Sequence, residues 1–145
     1  MAYKGPWKPK NPRKYVGDSN KIIFRSLWER QAFRWCDENP NVKKWNSEDT
    51  VIKYFCPTDK KYHRYHMDLT IQWKDDSITL VEIKPEKETK APKARRKTKR
   101  YLNEVTTFAK NSAKWEAAAK FAKQNGIKFE IWTEHTLRAK GMKIL

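Results

Sequence analysis

The sequence is poor in several features that mark particular classes of protein. Two cysteines, Cys36 and Cys56, are too few for a disulfide framework. No run of about 18 apolar residues occurs, which argues against a transmembrane helix, and no apolar segment near the start indicates a secretory signal. The four glycines form no phosphate-binding loop, so we expect no nucleotide cofactor. These absences predict a reduced, cytosolic protein that does not associate with membranes.

Bulky side chains, in contrast, are plentiful. The 145 residues include seven Trp, six Tyr and six Phe, and 38% of the chain is hydrophobic. Such a chain can bury a core, and domains commonly run to about 100–150 residues. We predict one folded domain over residues 21–145, preceded over residues 1–20 by a basic, proline-rich arm that its aromatic residues pin to the domain. These aromatic residues are Tyr3, Trp7 and Tyr15.

The positive charge is concentrated in two short segments. Of the net charge of +16, residues 1–14 contribute +5 and residues 84–100 contribute +7, whereas residues 15–83 are balanced. Clustered lysine and arginine suit a polyanion, because each neutralised phosphate releases condensed counterions. An anionic membrane is a weaker candidate, since residues 84–100 have no apolar face to insert. Because the middle segment is balanced, solubility alone does not explain the clustered charge, and we favour nucleic acid as the partner.

Apolar periodicity and turn residues give the order of the elements. The predicted helices cover residues 22–39, 98–110, 112–126 and 134–140. The predicted strands cover residues 50–55, 62–73, 78–84 and 127–133. This order is typical of an α/β fold in which helices flank a mixed sheet.

Three charged residues stand out in the second and third predicted strands. Asp68 and Glu82 interrupt apolar sequence, where a charge is costly unless it is solvated, paired or bound to a metal. If the two strands form a hairpin centred on Asp75, Asp68 lies directly opposite Glu82, and strand alternation places Lys84 on the face of Glu82. Facing carboxylates repel each other unless a cation lies between them.

A hard divalent cation such as Mg²⁺ suits this pair, because it prefers oxygen ligands and keeps waters for a substrate phosphate. The Lys84 ammonium can orient or deprotonate a metal-bound water and offset charge on an attacked phosphate, which is the chemistry of phosphodiester hydrolysis. Glu29, predicted on the flank of the apolar stripe of the first helix, favours this interpretation. The alternative is a surface ladder in which Lys84 simply pairs with Asp68 or Glu82.

The pattern resembles the signature of the PD-(D/E)xK nucleases, with His66-Met67-Asp68 followed by Glu82-Ile83-Lys84 and with Glu29 in the preceding helix. Over most of its length the chain also resembles the head completion nucleases of contractile-tailed (myovirus) bacteriophages, and TnsA-like endonucleases share the same core. The closer resemblance includes Lys10-Asn11-Pro12, Arg25-Ser26, Tyr54-Phe55-Cys56 and Gly126-Ile127-Lys128-Phe129. In one departure, Met67 occupies the position of the motif's proline.

This resemblance implies a PD-(D/E)xK restriction-endonuclease-like core and a Mg²⁺-dependent DNA endonuclease, with Mn²⁺ able to substitute. It gives Asp68, Glu82 and the carbonyl of Ile83 as metal ligands, Lys84 as the catalytic lysine and Glu29 as an assisting acid. It also implies action at or near the packaged DNA end, with phage head or portal proteins as partners, in the host cytoplasm or on the phage head.

The basic loop predicted over residues 85–100 follows the Glu82 strand directly, where it can clamp a phosphate backbone beside the metal. Phosphate contacts position a nucleic acid without reading its bases, so we expect binding directed by DNA structure or ends. Trp7 in the basic arm is a further candidate for DNA contact. The candidate DNA-binding residues of the loop are Lys87, Lys90, Lys93, Arg95, Arg96, Lys97, Lys99 and Arg100.

Rival interpretations concern other partners and other ligands. One rival is a non-catalytic DNA-end-binding or portal and capsid completion protein that keeps only the fold. A second is an RNA-binding protein that stacks bases on an exposed sheet face, although the continuous apolar face predicted for residues 62–73 argues against it. The cysteines lack Cys-x-x-Cys spacing, so we expect no zinc site, and His66 is expected to be solvated or to contact phosphate near Asp68.

Overall fold

The computed structural model describes residues 4–93 and 96–144. In chain order the strands are β1 (Gly5–Pro6), β2 (Ile23–Phe24), β3 (Val42–Asn46), β4 (Val51–Cys56), β5 (Lys61–His66), β6 (Leu69–Trp73), β7 (Ile78–Ile83) and β8 (Lys128–Trp132). The helices are α1 (Leu27–Glu38), α2 (Lys99–Gln124) and α3 (Glu134–Ala139). Short 3-10 turns cover Pro12–Lys14 and Glu86–Thr89.

A mixed sheet with the spatial order β3-β6-β7-β8 lies at the centre of the protein. The pairs β3–β6 and β6–β7 are antiparallel, and β8 lies parallel to β7 because α2 carries the chain back across the sheet. Strands β4 and β5 form a separate antiparallel hairpin, and β1 and β2 a short ribbon. The α/β class predicted from the sequence, a mixed sheet flanked by helices, is confirmed.

Alternating residues of the sheet feed two hydrophobic cores, one on each face. Val81 packs in the core with Phe33 of α1 and Leu137 of α3, whereas its neighbour Leu80 packs in the other core with Ala118 of α2. The second core also receives the inner face of the β4–β5 hairpin, which lies against α2. Side chains at even positions near the end of β7 therefore point towards α2 and the hairpin.

The helices differ from the predictions at their boundaries. Helix α1 begins only at Leu27, where the Ser26 side chain caps it by accepting the Glu29 N–H at 3.1 Å, and Ile23–Phe24 pairs with the arm instead. It ends at Glu38 with Asn39 as its C-cap, within one residue of the predicted end, because Pro40 follows. The two helices predicted over 98–110 and 112–126 form the single helix α2, since no glycine or proline interrupts the chain at the predicted boundary.

The predicted strand over residues 62–73 was wrong as one continuous element. The chain changes partners at Met67 and Asp68: β5 pairs with β4, whereas β6 enters the central sheet between β3 and β7. Met67 pins this junction, because its N–H donates to Thr50 O at 2.9 Å and its carbonyl accepts the Glu48 N–H at 3.0 Å. Strand β3, which the sequence analysis did not predict, supplies the outer neighbour of β6.

The N-terminal arm lies on the α1 side of the sheet. The Trp7 ring packs edge-on against Phe33 and Trp45, each at 5.9 Å between ring centroids, and Tyr15 packs on Trp45 at 4.8 Å. Trp7 is thus engaged with the core and half-buried. Within residues 4–93 and 96–144, no helix combines the length and the apolar character that crossing a bilayer requires.

Candidate active site

The register of the β6–β7 hairpin brings the two conspicuous acids together. Leu69 lies opposite Val81 and Gln72 opposite Ile78, which is the pairing predicted around Asp75. Asp68, one residue before the start of β6, continues this register opposite Glu82, and its Oδ2 accepts the Ile83 N–H at 2.7 Å. The short turn that sets the register is held by Asp75, whose Oδ1 accepts the Ser77 N–H at 2.9 Å.

Both carboxyl groups are largely withdrawn from water. Glu82 is only 7% exposed, and Asp68 is half-buried when the whole residue is considered. Burial, and after it the charge of Glu82, raises the pKa of Asp68 well above its ordinary value, although the Ile83 N–H acts in the opposite direction. In the described part of the chain no lysine, arginine or histidine nitrogen lies within 4 Å of either carboxylate. The pair is therefore a site of uncompensated negative charge.

Lys84 follows β7 on the face of Glu82. Its backbone N–H donates to Trp132 O at 3.0 Å, which keeps the chain extended beside β8. Its side chain is half-buried and forms no salt bridge with any residue that the structure describes. The surface ladder, in which Lys84 pairs with Asp68 or Glu82, is thus not what the structure contains.

Glu29 borders the pair from the first turn of α1. Its Oε1 accepts the Arg25 N–H at 3.2 Å, and its pKa is raised chiefly by burial, with smaller contributions from the charges of Glu48 and Glu82. Across residues 4–93 and 96–144, no three potential ligand atoms mutually within 4.8 Å join Glu29 to Asp68 and Glu82. The charge of Glu82 therefore acts on Glu29, but Glu29 does not form a tight three-carboxylate cluster with the pair.

Two aromatic residues beside the pair were missed by the sequence analysis. Tyr65, which is 4% exposed, and Trp115 of α2 each bury a polar atom that has no hydrogen-bond partner among the described residues. Burial and then the charge of Glu82 raise the pKa of the Tyr65 hydroxyl, so this hydroxyl lies near the carboxylate. The alternation over residues 62–73 places Tyr65 on the apolar face of that segment, and no sequence signal links it to Glu82.

The predicted basic loop is partly structured and borders a cleft. Its first residues form the turn Glu86–Thr89, and its last two already belong to α2. A cleft of about 840 Å³ between this segment and α2 is lined by Asn111 and by four predicted DNA-binding residues. These four are Lys87, Lys90, Lys99 and Arg100. Three more, Lys93, Arg96 and Lys97, are exposed outside the cleft, and Arg95 lies outside the described residues.

A second cluster of potential ligands lies at the tip of the β4–β5 hairpin. The ligand atoms of Cys56, Asp59 and His63 all lie within 4.8 Å of one another, and His63 Nε2 is 2.6 Å from Asp59 Oδ2. A hydrogen bond with the Thr58 hydroxyl lowers the pKa of the Cys56 thiol. The spacing Cys-x₂-Asp-x₃-His was not considered in the prediction against zinc, which rested on the two cysteines alone.

His66, predicted to share the face of Asp68, lies in the hairpin instead. It is exposed on β5, and its Nδ1 is 3.2 Å from the backbone carbonyl oxygen of Glu48. The change of partners at the next two residues separates its sheet from that of Asp68.

Comparison with known proteins agrees with the geometry. The family model described as TnsA-like endonuclease N terminal matches residues 39–134, which include the hairpin of Asp68, Glu82 and Lys84. The chain is also 47% identical, over 148 residues and 99% of both chains, to a protein of Enterobacteria phage T4 named head completion nuclease. This longer match also covers the α1 segment that holds Glu29. The chain belongs to the TnsA-like endonuclease family, which is of the PD-(D/E)xK type.

Proposed function

We propose that this protein is a Mg²⁺-dependent DNA endonuclease that acts in the completion of a phage head, at or near the packaged DNA end. The observation that supports the proposal most strongly is the facing pair of Asp68 and Glu82, which is largely withdrawn from water. Among the described residues, neither these carboxylates nor the following Lys84 forms a salt bridge. The name of the phage T4 relative supports the biological setting, in the host cytoplasm or on the phage head.

The donor set fits a hard divalent cation. Asp68 and Glu82 offer carboxylate oxygens from neighbouring strands, and the carbonyl of Ile83 is the proposed third ligand. Mg²⁺ and Mn²⁺ prefer such oxygen ligands. A divalent cation bound there offsets the repulsion between the carboxylates and stabilises negative charge on an attacked phosphate. The pKa of Asp68 is raised first by burial and then by the charge of Glu82, and a bound cation would act against both causes.

Lys84 and Glu29 are the proposed assisting groups. The Lys84 ammonium has no carboxylate partner within 4 Å among the described residues, so its Nζ can hold the attacking water and donate to a phosphate oxygen. Glu29, on the edge of the site, can accept a hydrogen bond from the same water. The half-buried position of both groups limits how far bulk water competes for them.

The DNA backbone is proposed to enter along the cleft between the Glu86–Thr89 turn and α2, whose lining has more basic than acidic side chains. Asn111 at its inner end lies one helical turn before Trp115, so the cleft runs along the face of α2 that leads to the carboxylate pair. Phosphate contacts by Lys87, Lys99 and their neighbours give affinity without base recognition. Phage head or portal proteins are the further proposed partners.

A plasmid-nicking assay tests the proposal. Supercoiled plasmid is incubated with the wild type in EDTA, Mg²⁺ or Mn²⁺, and with two variants, Asp68→Asn and the control Asp49→Asn, which removes an exposed acid. We expect relaxed circles with either metal for the wild type and Asp49→Asn, and none in EDTA or with Asp68→Asn. DNA binding without nicking under every metal would instead support a non-catalytic DNA-end-binding or completion protein.

A further inference from the structure

The outward side of the β4–β5 hairpin is an exposed surface that the nuclease site does not use. The cross-strand pairs Val51–His66, Lys53–Arg64 and Phe55–Tyr62 all project to this side, which we term the outer hairpin face. The alternating residues pack beneath α2, with Tyr54 and Tyr65 buried there. Phe55 is 48% exposed and Tyr62 is 64% exposed, so two large aromatic rings stand in water.

The charges on this face are of one sign. Lys53 lies directly opposite Arg64, and like charges at such positions destabilise a hairpin. Neither strand contains an acidic residue, and neither cation forms an ion pair with a residue in the described ranges. A phosphate between the two side chains would supply the missing counter-charge. The face thus has the electrostatics of a site for a polyanion.

The aromatic residues specify the kind of polyanion. The rings of Phe55 and Tyr62 lie 5.2 Å apart at 71°, and Lys53 Nζ is 4.7 Å from the centre of the Tyr62 ring. Aromatic rings set among cations are the surface on which proteins stack the bases of single strands. A duplex offers no free base faces along its length, because each base is stacked on its neighbours. An unpaired strand therefore uses both the rings and the cations.

The face lies close to the carboxylate pair along the chain. From Tyr62 in β5 the chain reaches Asp68 in six residues, past the change of partners at Met67, which is a path of about 20 Å at most. We propose that the outer hairpin face binds an unpaired DNA strand next to the cleavage site, with a phosphate between Lys53 and Arg64 and bases stacked on Phe55 and Tyr62. The choice of DNA rests on the proposed nuclease function, and the binding itself needs no metal.

Binding in EDTA tests the proposal without cleavage. The affinities of the full-length protein for a labelled single-stranded oligonucleotide and for a blunt duplex of the same sequence are measured by fluorescence anisotropy. We expect Tyr62→Ala and Tyr62→Leu to weaken single-strand binding by about 5- to 100-fold and to leave duplex binding unchanged, and Tyr62→Trp to retain wild-type affinity. Lys53→Ala should make single-strand binding less sensitive to salt. The slope of the logarithm of the binding constant against the logarithm of salt concentration should become shallower by about 0.7.

Three results would overturn the proposal. Equal losses for both DNA forms with Tyr62→Ala would make the face a duplex contact. Unchanged binding would remove DNA from the face altogether and leave a protein partner. A control, Lys123→Ala, removes one exposed cation from the last turn of α2, and a loss equal to that of Lys53→Ala would show that only net charge matters.

The experiments test the proposed endonuclease function and the outer hairpin face separately. If wild-type protein binds single strands through Tyr62 and yet nicks no plasmid with any metal, the endonuclease is wrong and the outer hairpin face stands. If the plasmid is nicked and Tyr62→Ala binds single strands as the wild type does, the face is wrong and the endonuclease stands. Thermal melts of each variant check that substitution of these exposed residues leaves the protein folded.

Discussion

Two cross-strand pairs of like charge occupy neighbouring hairpins of this protein. Asp68 and Glu82 face each other where β6 meets β7, and Lys53 faces Arg64 across β4 and β5. Glu82 is buried and Asp68 is half-buried, whereas Lys53 and Arg64 are exposed. Water and salt screen the exposed pair at little cost, but burial leaves the acidic pair to be resolved by protonation or by a bound cation.

The comparison separates chemistry from affinity. A buried pair of carboxylates has an ordered geometry and selects a compact divalent cation. An exposed pair of cations attracts an extended anion and adds affinity that depends on salt. Alterations of the two pairs should therefore differ in size and in the property that changes.

The largest effect is expected at the acidic pair. Asp68→Ala or Glu82→Ala should reduce single-turnover cleavage in Mg²⁺ on the order of 10³-fold or more, because each removes a ligand that positions the cation against the phosphate. DNA binding measured in EDTA should persist. Cleavage by either variant at near wild-type rates would show that the pair holds no catalytic cation.

A smaller loss of cleavage is expected when Lys84 is replaced. Comparison with Arg64 then distinguishes a cation that acts in catalysis from one that acts in binding. Lys84→Ala should reduce cleavage at saturating DNA on the order of 10²-fold with DNA affinity retained, since its ammonium acts on the reacting phosphate. Arg64→Ala should do the reverse, weakening single-strand binding while the rate at saturation stays unchanged. Single-turnover cleavage and anisotropy titrations, measured in parallel, distinguish the two variants. Equal losses of rate and of affinity in both variants would show that Lys84 and Arg64 belong to one basic surface with one role.

The stability of the metal-free protein should depend on the acidic pair with a definite sign. Because the pKa of Asp68 is higher in the folded chain than in the unfolded chain, the folded state holds more protons above about pH 4. Stability is thus lost as the pH rises from there through the raised pKa, because the charged form of Asp68 is disfavoured in the folded chain.

Asp68→Asn removes that loss. In EDTA at neutral pH this variant should melt at a higher temperature than the wild type, and Mg²⁺ should raise the melting temperature of the wild type alone. Thermal melts across pH in EDTA and in Mg²⁺ measure both effects. A wild type that gains stability as the pH rises through this range would show that Asp68 already has a positive partner.

The smallest effect is expected at the basic pair. Lys53→Ala should stabilise the free protein by less than about 1 kcal/mol, because the loss of its contact with the Tyr62 ring partly offsets the removal of the exposed repulsion from Arg64, and the gain should vanish in high salt. Chemical denaturation at low and high ionic strength measures it. A large, salt-independent loss of stability would mean that Lys53 is a structural residue of the hairpin.

The sequence predicted the acidic pair better than the basic one. A strict alternation and a short turn around Asp75 fixed the register of Asp68 and Glu82, because a hairpin loop of given length permits few pairings. Every second residue from Tyr65 to Ile71 is buried, as in one continuous strand. The sequence pattern therefore gave no sign that the chain changes sheets at Met67. The outer hairpin face was missed with it, since tertiary pairing decides which residues stay uncovered.

Metal soaks give the most direct test of the acidic pair. Crystals of the wild type soaked in Mn²⁺ should show an anomalous difference peak between Asp68 and Glu82, about 2.1 Å from an oxygen of each. Crystals of Asp68→Asn should lack it. A peak only at Cys56, Asp59 and His63 at the tip of the other hairpin, with none between the two carboxylates, would contradict a catalytic cation at this site.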